Sequence, residues 1–366
     1  MLPPLIIFLI VLSILVFIHE FGHFIAAKKN GIKVEEFGFG YPPRLWGKQI
    51  GETLYSINWI PFGGFVRIFG QESHSAKDIS VKDKNRAFFA KSKKARALVL
   101  VAGALGNFLL GILCFALIYS KIGIPEKLDY VKIAGVTDNS PAKNAGLKEG
   151  DKVLAVNGKK TISLSEFIPI LEQEKGKEIV LQTQRGDFSV LVRENPPENE
   201  GRLGVIITDI EKKFYPWWQM PFRGMWEGTK EALSWGLMIF LGLGYSIKQI
   251  FLGVAPEVAG PIGIYQLTTT AAKQGILELI QFVGILSVNL AVINMLPIPA
   301  FDGGHLVFLL FGDFLGKKRK DKVEHGINIA GFVIIISLMV LLTANDLIRI
   351  FKSSPIIASI LSFFHF

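Results

Sequence analysis

The chain has 366 residues, half of them hydrophobic, and a mean hydropathy of +0.40, a balance that points to an integral membrane protein. Its formal net charge is +9. The Lys and Arg residues gather at the ends of apolar segments rather than in patches interleaved with aromatics, which argues against a nucleic-acid binder and for membrane topology. A single cysteine, Cys114, excludes a disulfide framework within the chain.

The first predicted element is a membrane span over residues 3–27, closed by Lys28 and Lys29. No basic segment precedes it and no small-x-small site ends it, so it does not read as a removable signal. Residues 28–96 form a loop in which 38–40, 54–60 and 63–69 read as short apolar, glycine-rich strands. Strands of this character beside a bilayer predict a membrane-associated sheet, whose free edges could accept an extended peptide. A second span is expected over 97–119, within a segment 97–120.

Residues 121–211 read as a separate soluble domain. Alternating runs such as 152–156 end at Asn157-Gly158, and 179–184 and 188–192 flank Arg185-Gly186-Asp187 as a hairpin. A helix is expected over 163–174, with Ser163 as N-cap and Glu166 completing a capping box. The stretch 140–158, SPAKNAGLKEGDKVLAVNG, resembles a PDZ domain of the bacterial protease type. Residues 212–278 follow, and their apolar part, 232–254, is long enough to span but is expected to lie at the interface or to be partly embedded, since a further span would put Asp302 on the outer side, away from His19 and His23. The third span covers 279–296 and ends at Pro297 and Pro299, in a segment running to 312. A basic loop, 313–326, precedes the fourth span (327–342, in a segment 327–345) and a tail, 346–366.

Residues 28–96 carry 14 Lys and Arg against 6 Asp and Glu, whereas residues 121–231 carry 17 of each. By the positive-inside rule the first loop and the 313–325 loop face the cytoplasm, and the middle domain faces outward. The fold class expected is a polytopic α-helical membrane protein: about four transmembrane helices, a membrane-associated β-sheet and one extracytoplasmic PDZ domain.

The chemistry is concentrated in His19-Glu20-Phe21-Gly22-His23, inside the first span. H-E-x-x-H on a helix sets two imidazoles one turn apart on one face, the spacing for a shared zinc ion, with the glutamate placed to take a proton from water. Ionisable groups at membrane depth are functional by default. A catalytic zinc site wants a third protein ligand and an open position. Asp302 is the favoured candidate, because the prolines unwind the third span and Gly303-Gly304 let the chain turn there; His305 competes. Asn289 and Asn294 on the third span could bond across helices or hold a substrate backbone or oxyanion.

Taken together, H-E-F-G-H in the first span, N-x-x-P-x-P-x-x-D-G-G-H in the third and the PDZ-like stretch between them resemble the site-2 intramembrane zinc metalloproteases. The likeness extends to Gly38-Phe39-Gly40, Ile60-Pro61-Phe62-Gly63-Gly64 and Ala259-Gly260-Pro261-Ile262-Gly263. It implies that His19, His23 and Asp302 bind Zn2+, that Glu20 activates water, and that Asn289 and Asn294 handle substrate. It further implies that the glycine-rich sheet, with Gly38, Gly40, Gly63 and Gly64, pairs with an unwound substrate. The substrate implied is a single-span membrane protein, such as an anti-sigma factor already cut once, in a bacterial inner membrane. The chain departs from the pattern in three places: it has room for one PDZ domain where some members have two, Phe301 precedes Asp302 in place of leucine, and Ala104 follows Gly103 in place of proline. A membrane metal transporter and a catalytically silent PDZ scaffold are the alternatives from other classes.

Overall fold

The computed structural model of the chain describes residues 2–71, 84–198, 200–254, 259–312 and 317–353; the side chains of 62, 250, 317–325 and 350–353 fall outside that description. Two compact units result, Tyr119–Met220 and the remainder.

Among the described residues, four helices are long and apolar enough to cross a membrane. The first, α1 (Pro4–Lys29), starts on Pro3-Pro4, and its last turn carries Lys28 and Lys29, which complement the helix dipole. The second, α2 (Lys93–Ile122), has 50% of its most apolar window buried, against 17% for α1, so α2 is the inner helix of this unit. Small residues let it approach its neighbours: Gly22 of α1 packs on the backbone of Ala102, and Gly111 packs on Val288.

Between α1 and α2 lies one long hairpin, β1 (Val34–Ile50) and β2 (Thr53–Ile68), antiparallel with several register shifts. The three short strands expected from the sequence are therefore two long bulged ones, with Gly51-Glu52 as the turn. Phe17, Phe21 and Phe24 of α1 tilt or stand edge-on against Phe37, Phe39 and Tyr55 of the hairpin. Ser13 Oγ donates to the Pro61 carbonyl at 2.8 Å. The hairpin is thus fastened along the Ser13, Phe17, Phe21 and Phe24 side of α1, the helix that carries H-E-x-x-H.

The second unit contains β3 (Ile124–Val136), α3 (Pro141–Asn144), β4 (Lys152–Val156), β5 (Lys159–Lys160), α4 (Leu164–Gln173), β6 (Glu178–Thr183), β7 (Gly186–Leu191) and β8 (Val205–Lys213). Its antiparallel sheet runs β7-β6-β4-β3-β8, with β5 beside β4. Val131, Val153, Phe167, Ile179, Leu181 and Val190 form its core. Asp151 is buried and paired with Arg185. Ser163 stands at the N-cap of α4, but the capping box does not form. Ser163 Oγ pairs with Ser165, and the Glu166 carboxylate accepts from the Ile162 N–H.

In the first unit again, α5 (Met220–Phe251) is one 32-residue helix, longer than the 232–254 stretch expected, and it is not among the four candidate spans. Its Gly228 packs on Ile112 and Ala116 of α2, so it runs beside that helix. Then come α6 (Pro261–Gln274), α7 (Ile276–Met295, the third candidate span), α8 (Asp302–Phe311) and α9 (Lys317–Ser353), whose Gly326–Arg349 portion is the fourth. The basic residues 317–320, expected in a loop, begin α9 instead. A helix starting there continues the basic turn into the apolar span without a break. Residues 313–316 of that loop and 354–366 of the tail lie outside the described residues.

Candidate metal centre

Three side chains from two helices converge on one point. His19 and His23 project from the same face of α1, four residues apart. Asp302 comes from the first turn of α8, after a break that the sequence dictates. Helix α7 stops at Met295, Pro297 and Pro299 prevent its continuation, and Ala300 takes a left-handed φ of 72°. The chain then doubles back so tightly that a Cβ on Gly303 would lie 2.3 Å from the Leu296 carbonyl oxygen. Only glycine fits there.

The result is a cluster of three ligand atoms. His19 Nε2 lies 3.1 Å and His23 Nε2 3.3 Å from Asp302 Oδ2, and the two Nε2 atoms are 3.2 Å apart. His23 Nδ1 is 2.7 Å from the Val99 carbonyl, so it carries the ring proton and donates it, and its Nε2 presents a lone pair to the cluster. Asp302 Oδ2 is buried yet makes no well-formed hydrogen bond. Lone pairs crowded this closely repel one another unless a proton or a cation lies between them. Two imidazoles and a carboxylate suit a divalent metal with an open coordination position. Among the described residues this is the one group of His, Cys, Asp and Glu side chains so placed, and His305 is not part of it.

Glu20 sits beside the cluster, and its Oε2 accepts from the Val66 N–H of β2 at 3.2 Å. That contact links the glutamate to the hairpin. The remaining residues singled out from sequence are placed as follows. Asn289 and Asn294 lie on α7, both half-buried, and no hydrogen bond joins either amide to His19, Glu20, His23 or Asp302. Gly38 and Gly64 face each other across the hairpin, where a Cβ on Gly64 would meet the Gly38 carbonyl at 2.8 Å. Gly40 and Gly63 have φ of 77° and 74°, and Gly63 packs on Val16 of α1. Hairpin packing accounts for these four glycines.

Sequence reasoning missed the α2 side of the centre. A Cβ on Gly103 would lie 2.3 Å from His23 Nε2, and the Asn107 amide approaches His19 Nδ1 at 3.5 Å. Their four-residue spacing, matching that of the histidines, was the available signal.

Comparison with known proteins agrees with this geometry. Residues 7–338 match the model of peptidase family M50. A Clostridium perfringens relative is 36% identical over 346 residues, 93% of this chain and 97% of its own length. Two proteins named zinc metalloprotease RasP are also similar. That of Geobacillus kaustophilus is 27% identical, covering 96% of this chain and 99% of its own length; that of Shouchella clausii is 29% identical, covering 94% and 99%. The chain therefore belongs to peptidase family M50 and is a membrane metalloprotease of the site-2 type.

Proposed function

We propose that the chain is a zinc-dependent endopeptidase that cuts a single-span membrane protein within or at the edge of the bilayer. The observation that carries this reading is the convergence of His19 and His23, with Glu20 alongside, on a candidate membrane span and of Asp302 on the short apolar helix that follows another. Zinc is the metal that the relatives' names give, and the donor set suits it.

His19, His23 and Asp302 would hold the ion. When bound, it supplies a Lewis acid for the scissile carbonyl and makes a neighbouring water more acidic. Glu20 takes the proton of the attacking water and returns it to the leaving amine, and the Val66 N–H fixes one carboxylate oxygen so that the other is free for this transfer. A transmembrane helix hides its carbonyls in its own hydrogen bonds, so the substrate must unwind locally. In this reading the β1–β2 hairpin, with Gly38, Gly40, Gly63 and Gly64, receives the unwound segment as an added strand. Asn289 and Asn294 hold its backbone or the developing oxyanion.

The charge asymmetry supports an active site near the cytoplasmic face of a bacterial inner membrane, with residues 121–211 on the other side. That unit is read as a PDZ-type module from the 140–158 stretch and its antiparallel sheet with α4, and it contacts peptide or protein. The substrate class is a single-span regulator, such as a pre-cut anti-sigma factor, consumed in regulated intramembrane proteolysis.

The experiment is cleavage of a co-purified single-span protein in detergent, where no ion gradient exists. A chelator should stop cleavage and added zinc restore it. Cleavage indifferent to the chelator would sink the zinc reading, and gradient-dependent metal movement without cleavage would favour a transporter.

A further inference from the structure

His23 and His19 stand one turn apart on α1, and α2 runs antiparallel beside them. Three residues of α2, spaced four apart and so on one face, meet the two rings in reverse order. Val99 offers its carbonyl to His23 Nδ1 at 2.7 Å. Gly103 leaves the room in which the rings lie. Asn107, fully buried, brings its side-chain amide to His19 Nδ1 at 3.5 Å. The backbone of Asn107 is itself fixed, because Ser287 Oγ of α7 donates to its carbonyl at 2.7 Å.

With Nδ2 toward His19, Oδ1 is buried without a partner. Nδ2 can only donate, so His19 Nδ1 would have to accept, which puts the ring proton on Nε2. That is the atom 3.1 Å from Asp302 Oδ2, and a protonated Nε2 is closed to a metal. Rotating the amide by half a turn exchanges its two ends, which have nearly the same shape. Oδ1 then accepts from the Nδ1–H, and Nε2 presents its lone pair, as it does on His23. We propose that Asn107 is a positioning residue for His19: its amide oxygen accepts the Nδ1–H, fixes the tautomer and aims Nε2 into the metal centre. Each histidine thereby has one acceptor on α2, a main-chain carbonyl for His23 and a side-chain carbonyl for His19. Partners of this kind set the orientation and basicity of metal-bound imidazoles.

The proposal rests on the zinc reading of the site, and the test separates the two. Zinc affinity is measured by chelator competition on the full-length protein in detergent, for wild type, Asn107→Leu and Asn107→Asp. The expected result is tight binding by wild type, a loss of about 10–100-fold for Asn107→Leu, and recovery in Asn107→Asp, which keeps an acceptor oxygen. Wild-type affinity in Asn107→Leu, or equal losses in both variants, overturns the role of Asn107 while leaving zinc binding intact. Absence of zinc binding by wild type overturns both readings. Should Asn107→Leu fail to fold, nitrogen-15 spectra of histidine-labelled, zinc-free wild type read the tautomer that the protein itself sets, before any metal selects it. A proton on His19 Nδ1 is expected, and a bare Nδ1 contradicts the proposal.

Discussion

Gly103 of α2 lies against His23 of α1 so closely that a Cβ there would stand 2.3 Å from Nε2 and 2.7 Å from His19 Cε1. The packing of two apolar helices is in this way part of the metal centre. Gly103→Ala must push at least one ring aside. Zinc affinity should fall by roughly tenfold or more, as when the support of a ligand is lost, while the protein still purifies as a folded monodisperse species. Unchanged zinc content after dialysis against a chelator would refute this account of Gly103.

Asp302 and His305 were rival third ligands in the sequence, and only Asp302 joins the cluster. Asp302→Asn should lower zinc affinity by about 100-fold or more, since removing even an outer partner costs about 10–100-fold. His305→Gln should leave zinc content near wild type. Metal analysis of both variants checks this, and a larger loss in His305→Gln would reverse the assignment.

Gly63 holds the hairpin to α1 at Val16, with a φ of 74° that a side chain disfavours. Gly63→Ala should cost about 1–2 kcal/mol from the left-handed backbone alone. Because the metal ligands lie on helices, zinc affinity should hold while cleavage slows. Parallel losses of zinc and activity would show that the hairpin supports the metal centre rather than the substrate.

In the separate unit, the Arg185 guanidinium beside buried Asp151 holds that carboxyl below its ordinary range. A depressed folded-state pKa gives stability that is present above the unfolded value of about 3.9 and is lost as pH falls through the folded value. Hydrogen-exchange protection factors in residues 152–191 of the full chain, corrected for the intrinsic rate at each pH, should therefore fall below about pH 4. Asp151→Asn should remove that component of the acid sensitivity and speed exchange at neutral pH. An identical acid profile in the variant would exclude the pair as its source.

The sequence displayed the parts of this molecule that depend on local pattern. Apolar length announced the four candidate spans, the His19–His23 spacing announced the metal, and the prolines after Met295 announced the break that delivers Asp302. It hid what depends on contacts between distant segments. The β1–β2 hairpin looked like three strands because its bulges and internal glycines interrupt the alternation, although α1 holds it together as one. Asn107 looked like an ordinary span residue and Gly103 stood out only as the residue before Ala104, since their role comes from the partner helix rather than from neighbours in the chain. The capping box at Ser163 failed because Glu166 meets a different donor one residue upstream, the Ile162 N–H.

The central claim is that Glu20 performs proton transfer at a zinc held by His19, His23 and Asp302. Its most direct test compares wild type with Glu20→Gln, reconstituted in lipid vesicles with a single-span substrate, reading cleavage and bound zinc together. The account predicts that the variant keeps its zinc and loses cleavage by about 10²–10⁴-fold. Cleavage by Glu20→Gln at the wild-type rate would contradict it.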